Sequence, residues 1–98
     1  MVKHIVLFRM KPTTSPAKIA EIEQALADLV ARMEGLEDFL WGPYSSNEGL
    51  NRGYTHGFIM SFSDAAARDA YLPHPDHRAV ADLILPAVDE VLAFDFEC

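Results

Sequence analysis

The chain has 98 residues, half of them hydrophobic, and a formal net charge of −7. That length predicts a single domain, residues 1–98, able to fold alone while burying a modest share of its surface. No cluster of Lys and Arg is dense enough to follow a phosphate backbone, no apolar run approaches a membrane span, and the first residues lack a signal-peptide pattern. The expectation is therefore a cytoplasmic protein with no nucleic acid and no membrane among its partners.

Val2 to Met10 alternates as a strand, with Val2, His4, Val6 and Phe8 on one face and Lys3, Ile5, Leu7 and Arg9 on the other. Ser15 suits a helix N-cap and Pro16 the first helical position. Ile19, Ile22, Leu26, Leu29, Val30 and Met33 follow at helical spacing, and Gly35 supplies the stop. Asp38 to Tyr44 reads as a second strand carrying Phe39, Leu40 and Trp41. A polar loop follows over residues 45–53, and Tyr54 to Phe62 alternates as a third strand. Ser63 or Asp64 can cap a short helix ending near Tyr71. Pro73-His74-Pro75 then breaks the chain, Pro75 opens another helix toward Leu85, and Pro86 interrupts it. Val91 to Phe96 is the last strand, with Leu92, Phe94 and Phe96 on one side.

The order β-α-β-β-α-α-β predicts an α+β, ferredoxin-like fold: a four-stranded antiparallel sheet with helices on one face. Phe8, Phe58, Phe62, Phe94 and Phe96 are expected beneath the helices. The other face would carry Ile5, Leu7, Ile59, Val91 and Ala93, with Lys3, Arg9 and Asp95 sharing their parity. No helix is left to cover it, and an apolar face of that extent is unstable in water. Packing against a second copy resolves this, so a homodimer through the open sheet face is the expected partner.

Tyr71-Leu72-Pro73-His74-Pro75-Asp76-His77 places a phenol and two imidazoles within seven residues. His77 can serve as a general base, because a neutral imidazole titrates near working pH. Tyr71 can donate to a carbonyl oxygen as charge develops there. On one helix the pair would diverge, but the proline break lets two short helices converge. The competing reading has the Tyr71 hydroxyl bonded to a backbone carbonyl and His77 completing the turn. His4 and His56 share parity with large apolar side chains and so point toward the helices. With Ile22, Leu26 and Phe58 they are candidate binding residues, as is His74. His74 and His77 lack a third ligand at fixed spacing, and Cys98 is the only cysteine, so no metal or other cofactor is expected. Trp41 and Tyr54 read as core or interface anchors.

Val2-Lys3-His4-Ile5-Val6-Leu7-Phe8, Phe39-Leu40-Trp41-Gly42, Gly53-Tyr54-Thr55-His56, the Tyr71–His77 stretch and Phe94-Asp95-Phe96 together resemble the stress-responsive α/β barrel domain family. The resemblance covers nearly the whole chain and implies a dimeric α+β barrel. One member type, a plant polyketide cyclase, closes a linear substrate by aldol condensation without metal or cofactor. The resemblance puts its catalytic tyrosine and histidine on Tyr71 and His77, and a further pocket histidine on His4. Its aromatic pocket residues would fall on Ile22 and Leu26, and a tryptophan on Val88, so the polar pair is kept and the wall differs. The implied function is a pocket for a small apolar, phenolic or aromatic carbonyl compound with cofactor-free acid/base chemistry. A non-catalytic stress or stability protein and a cofactor-free monooxygenase-like barrel are the alternatives.

Overall fold

Four strands and three helices follow one another in the computed structural model, which describes residues 1–98. They are β1 (Val2–Met10), α1 (Pro16–Asp28), β2 (Leu36–Pro43), β3 (His56–Phe62), α2 (Ala65–Tyr71), α3 (Pro75–Ile84) and β4 (Val88–Glu97). The strands form one antiparallel sheet in the order β2-β3-β1-β4, with both hairpin-distant neighbours of β1 supplied by later strands. This is the expected ferredoxin-like arrangement.

Local chemistry sets the element ends. The Ser15 side chain accepts the Lys18 backbone N–H at 3.1 Å, and Pro16 occupies the first turn of α1. The regular helix ends at Asp28, earlier than the apolar spacing suggests, and a tight 3₁₀ turn over Leu29–Ala31 carries the chain on. Leu29 and Met33 are buried all the same. At Gly35 the backbone has φ +82°, and a Cβ there would stand 2.5 Å from the Ala67 Cβ. Only glycine satisfies both conditions, and this close approach seats α2 against the start of β2.

The core lies between the helices and one sheet face. Ile22, Leu26, Leu29, Met60, Phe62 and Tyr71 form its centre, flanked by Val2, Val6 and Phe8 from β1. β1 alternates buried and half-buried residues without exception, as its sequence suggests.

β4 corrects the expected core. Its register pairs His4 with Asp95, Val6 with Ala93 and Phe8 with Val91. Directly opposed residues share a sheet face, so Val91, Ala93 and Asp95 face the helices, whereas Phe94 and Phe96 do not. The cause is an extra residue. Met10 pairs with Val88 and Arg9 with Glu90, leaving Asp89 as a bulge that inverts the parity of everything after it. Leu92, Phe94 and Phe96 therefore join Ile5 and Leu7 on the outer face. One row, Leu40–Ile59–Ile5–Phe94, crosses all the strands there, and Leu40 and Phe94 are 61% and 64% exposed. No helix of the chain is long and apolar enough to cross a membrane.

Candidate functional site

The proline break places the chemistry. Asp64 caps α2 by accepting the Ala67 N–H at 2.8 Å, and α2 runs just far enough to bury Tyr71 in its last turn. His74 then caps α3: its Nδ1 accepts the Asp76 N–H at 3.0 Å, with Pro75 in the first turn. Starting α3 in a new direction lets His77 fold back, and its Nδ1–H donates to the Leu72 carbonyl at 2.8 Å. The rings of Tyr71 and His77 end 4.4 Å apart.

These two rings form one side of a cavity of about 270 Å³ between the helices and the β1–β4 half of the sheet. His4, Val6, Phe8, Phe58, Val91 and Ala93 supply its sheet side, and Leu26 reaches it from α1. Leu72, Val80, Ala81, Ile84 and Leu85 complete the wall. No Lys or Arg lines it, so it offers no anchor for a phosphate or carboxylate.

The polar atoms within this apolar wall are few and unspent. A carbonyl only accepts, so the His77 Nδ1 carries the hydrogen and the neutral ring keeps its lone pair on Nε2. Neither that Nε2, nor the His4 Nε2, nor the Tyr71 hydroxyl has a partner within the chain. Arg9 Nε is the sole side-chain nitrogen or oxygen that is both fully enclosed and unpartnered. The other three are therefore not fully enclosed. Burial lowers the His77 pKa below the ordinary imidazole value, opposed by its bond to Leu72 and assisted by the nearby His4. Burial pushes the Tyr71 phenol upward, which keeps it protonated and a donor. A neutral base and a neutral acid, side by side, can pass a proton to and from a carbonyl compound.

The structure brings His4, Leu26, Phe58, Tyr71 and His77 to this cavity and leaves the other candidates outside. Ile22 is wholly enclosed in the core and Val88 packs opposite Met10, so neither forms its wall. His74 is committed to its cap. His56 does share the inner face, but β3 carries it to the far end of the sheet, where its Nδ1 meets Thr55 Oγ1 at 2.9 Å and its ring lies 5.8 Å from Trp41. It borders a separate cleft with Tyr44, Asn51 and Tyr54. Of the competing reading for Tyr71 and His77, the turn-completing bond of His77 is present; a backbone partner for the Tyr71 hydroxyl is not.

Two residues escaped the sequence reading. Asp95 accepts from His4 Nδ1 at 2.6 Å through one oxygen and from Arg68 Nη1 at 3.0 Å through the other. Set between Phe94 and Phe96, Asp95 reads as part of the open sheet face, with Lys3 and Arg9. Only the Asp89 bulge turns it inward, and a bulge leaves no periodic signature. No group of three or more His, Cys, Asp or Glu side chains stands close enough to hold a metal ion.

Comparison with known proteins places this geometry in a wider set. The stress-response A/B barrel domain-containing protein HS1 of Arabidopsis thaliana is 38% identical over 98% of this chain and 88% of its own length. A crystal structure of a dimeric ferredoxin-like protein of unknown function from Jannaschia sp. CCS1 superposes with a TM-score of 0.89 at 29% identity, covering 99% of this chain and 98% of the other. Olivetolic acid cyclase of Cannabis sativa is 25% identical over 97% of this chain and 94% of its own length. With the stress responsive A/B barrel domain matching residues 2–98, the chain belongs to that family.

Proposed function

We propose that the cavity binds a small, neutral, apolar or aromatic carbonyl compound and carries out cofactor-free, aldol-type ring closure on it. The observation that carries this reading is the close approach of the Tyr71 and His77 rings, 4.4 Å apart, in the wall of a mainly apolar pocket. His77 Nε2 takes a proton from the carbon beside a carbonyl. The electron pair moves onto that carbonyl oxygen, and the enolate accepts the Tyr71 O–H bond. The enolate carbon then bonds to a second carbonyl carbon of the same molecule, whose oxygen recovers the proton from the imidazolium. No redox step occurs, and base and acid are regenerated. The similarity to a cyclase over almost the whole chain supports this class of reaction. The cavity walls, with leucine at 26 and neither Ile22 nor Val88 in contact, favour a ligand of their own.

The chain is further proposed to act as a homodimer, the Leu40–Ile59–Ile5–Phe94 row packing against the same row of a second copy. The dimeric state of the Jannaschia relative supports this.

Thermal-shift and native mass-spectrometric screening against polyketide-like and phenolic compounds tests the pocket. Stabilisation is expected from part of that set and is expected to vanish in His77→Ala and Tyr71→Phe. Stabilisation that ignores both substitutions removes the pair from the function.

A further inference from the structure

Behind the cavity wall a chain of three side chains crosses from the helices to the sheet. Arg68 on α2 donates to Asp95 on β4, and Asp95 meets His4 on β1 at 2.6 Å. Each carboxylate oxygen has one partner, so the group cannot rotate without losing one of them. Arg68 is itself steadied by Asp69 at 2.9 Å. The His4 side chain is 8% exposed, while those of Asp95 and Arg68 are each 22% exposed. The His4 ring sits edge-on to Phe58, Phe62 and Tyr71, which fixes its plane. A purely structural tie between α2 and β4 would need only Arg68 and Asp95. The third member points the arrangement at the cavity.

We infer that Arg68 and Asp95 are positioning residues that hold neutral His4 in its Nδ1–H form, so that its Nε2 lone pair accepts a hydrogen bond from a hydroxyl group of the bound ligand. An ionised carboxylate only accepts, so the hydrogen of a neutral His4 must sit on Nδ1. The guanidinium holds that carboxylate in place through its second oxygen. His77 reaches the same state by a different route, through the Leu72 carbonyl. The cavity therefore presents two imidazole acceptors, His4 and His77, flanking the one phenol donor of Tyr71. That pattern fits a ligand with a carbonyl oxygen to accept and phenolic or enolic hydroxyls to donate. This assignment rests on the pocket proposed above and adds the hydroxyl requirement to it.

Imidazole nitrogen NMR shifts read the His4 tautomer at the alkaline plateau of its titration, with no ligand present. The intact protein is expected to show Nδ1–H. Asp95→Ala is expected to move His4 to Nε2–H, and Arg68→Met to move it part of the way. An Nε2–H His4 in the intact protein overturns the assignment, as does an unchanged tautomer in Asp95→Ala; an unchanged one in Arg68→Met removes Arg68 from it. In parallel, para-propylphenol binding is expected to weaken about tenfold in Asp95→Ala, the effect of losing one well-aimed hydrogen bond, and by a smaller factor in Arg68→Met. Equal affinity in all three proteins overturns the ligand half. Absence of binding to the intact protein sinks the pocket reading, and the tautomer measurement still decides the chain of three.

Discussion

Tyr71 is 2% exposed, yet its hydroxyl has no partner within the chain. That oxygen is not fully enclosed and adds no hydrogen bond within the folded chain, so nothing in folding requires it. Tyr71→Phe is accordingly expected to change unfolding free energy by less than about 1 kcal/mol in urea titration, or to raise it. A loss well beyond that would mean the hydroxyl serves the fold. His77 makes a second residue-scale prediction. Its folded pKa is lowered from 6.5, and so is that of His56, burial being the first cause in both. Below 6.5 the unfolded chain binds protons that the folded chain resists, so stability falls as pH drops through that window and is whole above it. His77→Gln is expected to flatten the slope of melting temperature against pH between neutrality and mildly acid conditions. His56 leaves some slope behind. An identical slope in the variant would show that His77 titrates normally in the folded protein.

Among the elements, α3 depends on an unusual cap. His74 accepts the Asp76 N–H with an imidazole nitrogen where serine or aspartate is customary. His74→Ala is expected to cost about 1 kcal/mol of unfolding free energy while leaving binding in the neighbouring cavity intact. Lost binding at unchanged stability would instead give His74 a ligand role. α1, α2 and α3 were legible because caps and prolines are local: Ser15 with Pro16, Asp64, and Pro75 each mark a start that no distant contact alters. β4 was not. Hydrophobic alternation assigns Phe94 and Phe96 to the core, yet a single unpaired residue, Asp89, reverses that choice. Nothing in the alternation of Val91 to Phe96 signals it, because the bulge is a property of pairing with β1. The same reversal hid Asp95 and Arg68. The histidines divided for a related reason. Strand parity turns both His4 and His56 inward, but only the register decides that His56 lies at the far end of the sheet from Tyr71.

At the scale of the whole molecule, the two sheet faces differ in what covers them. Helices lie over one; the other shows Leu40, Ile59, Leu92, Phe94 and Phe96, all exposed. Inverting β4 made this face more apolar than the sequence suggests, since it gained Phe94 and Phe96 in place of Val91 and Ala93. Phe94→Asp is expected to yield single subunits at micromolar concentration in analytical ultracentrifugation, with helix content unchanged. An unaltered sedimentation coefficient would rule out this surface as the interface. Because β4 offers Val91 and Ala93 to the cavity and Leu92 and Phe94 to the outer face, alternate residues of one ribbon report to two different neighbours. Displacing that ribbon from either side displaces it for both. Thermodynamic reciprocity then requires that whatever free energy an occupant of the interior lends to self-association, self-association returns in equal measure to the occupant.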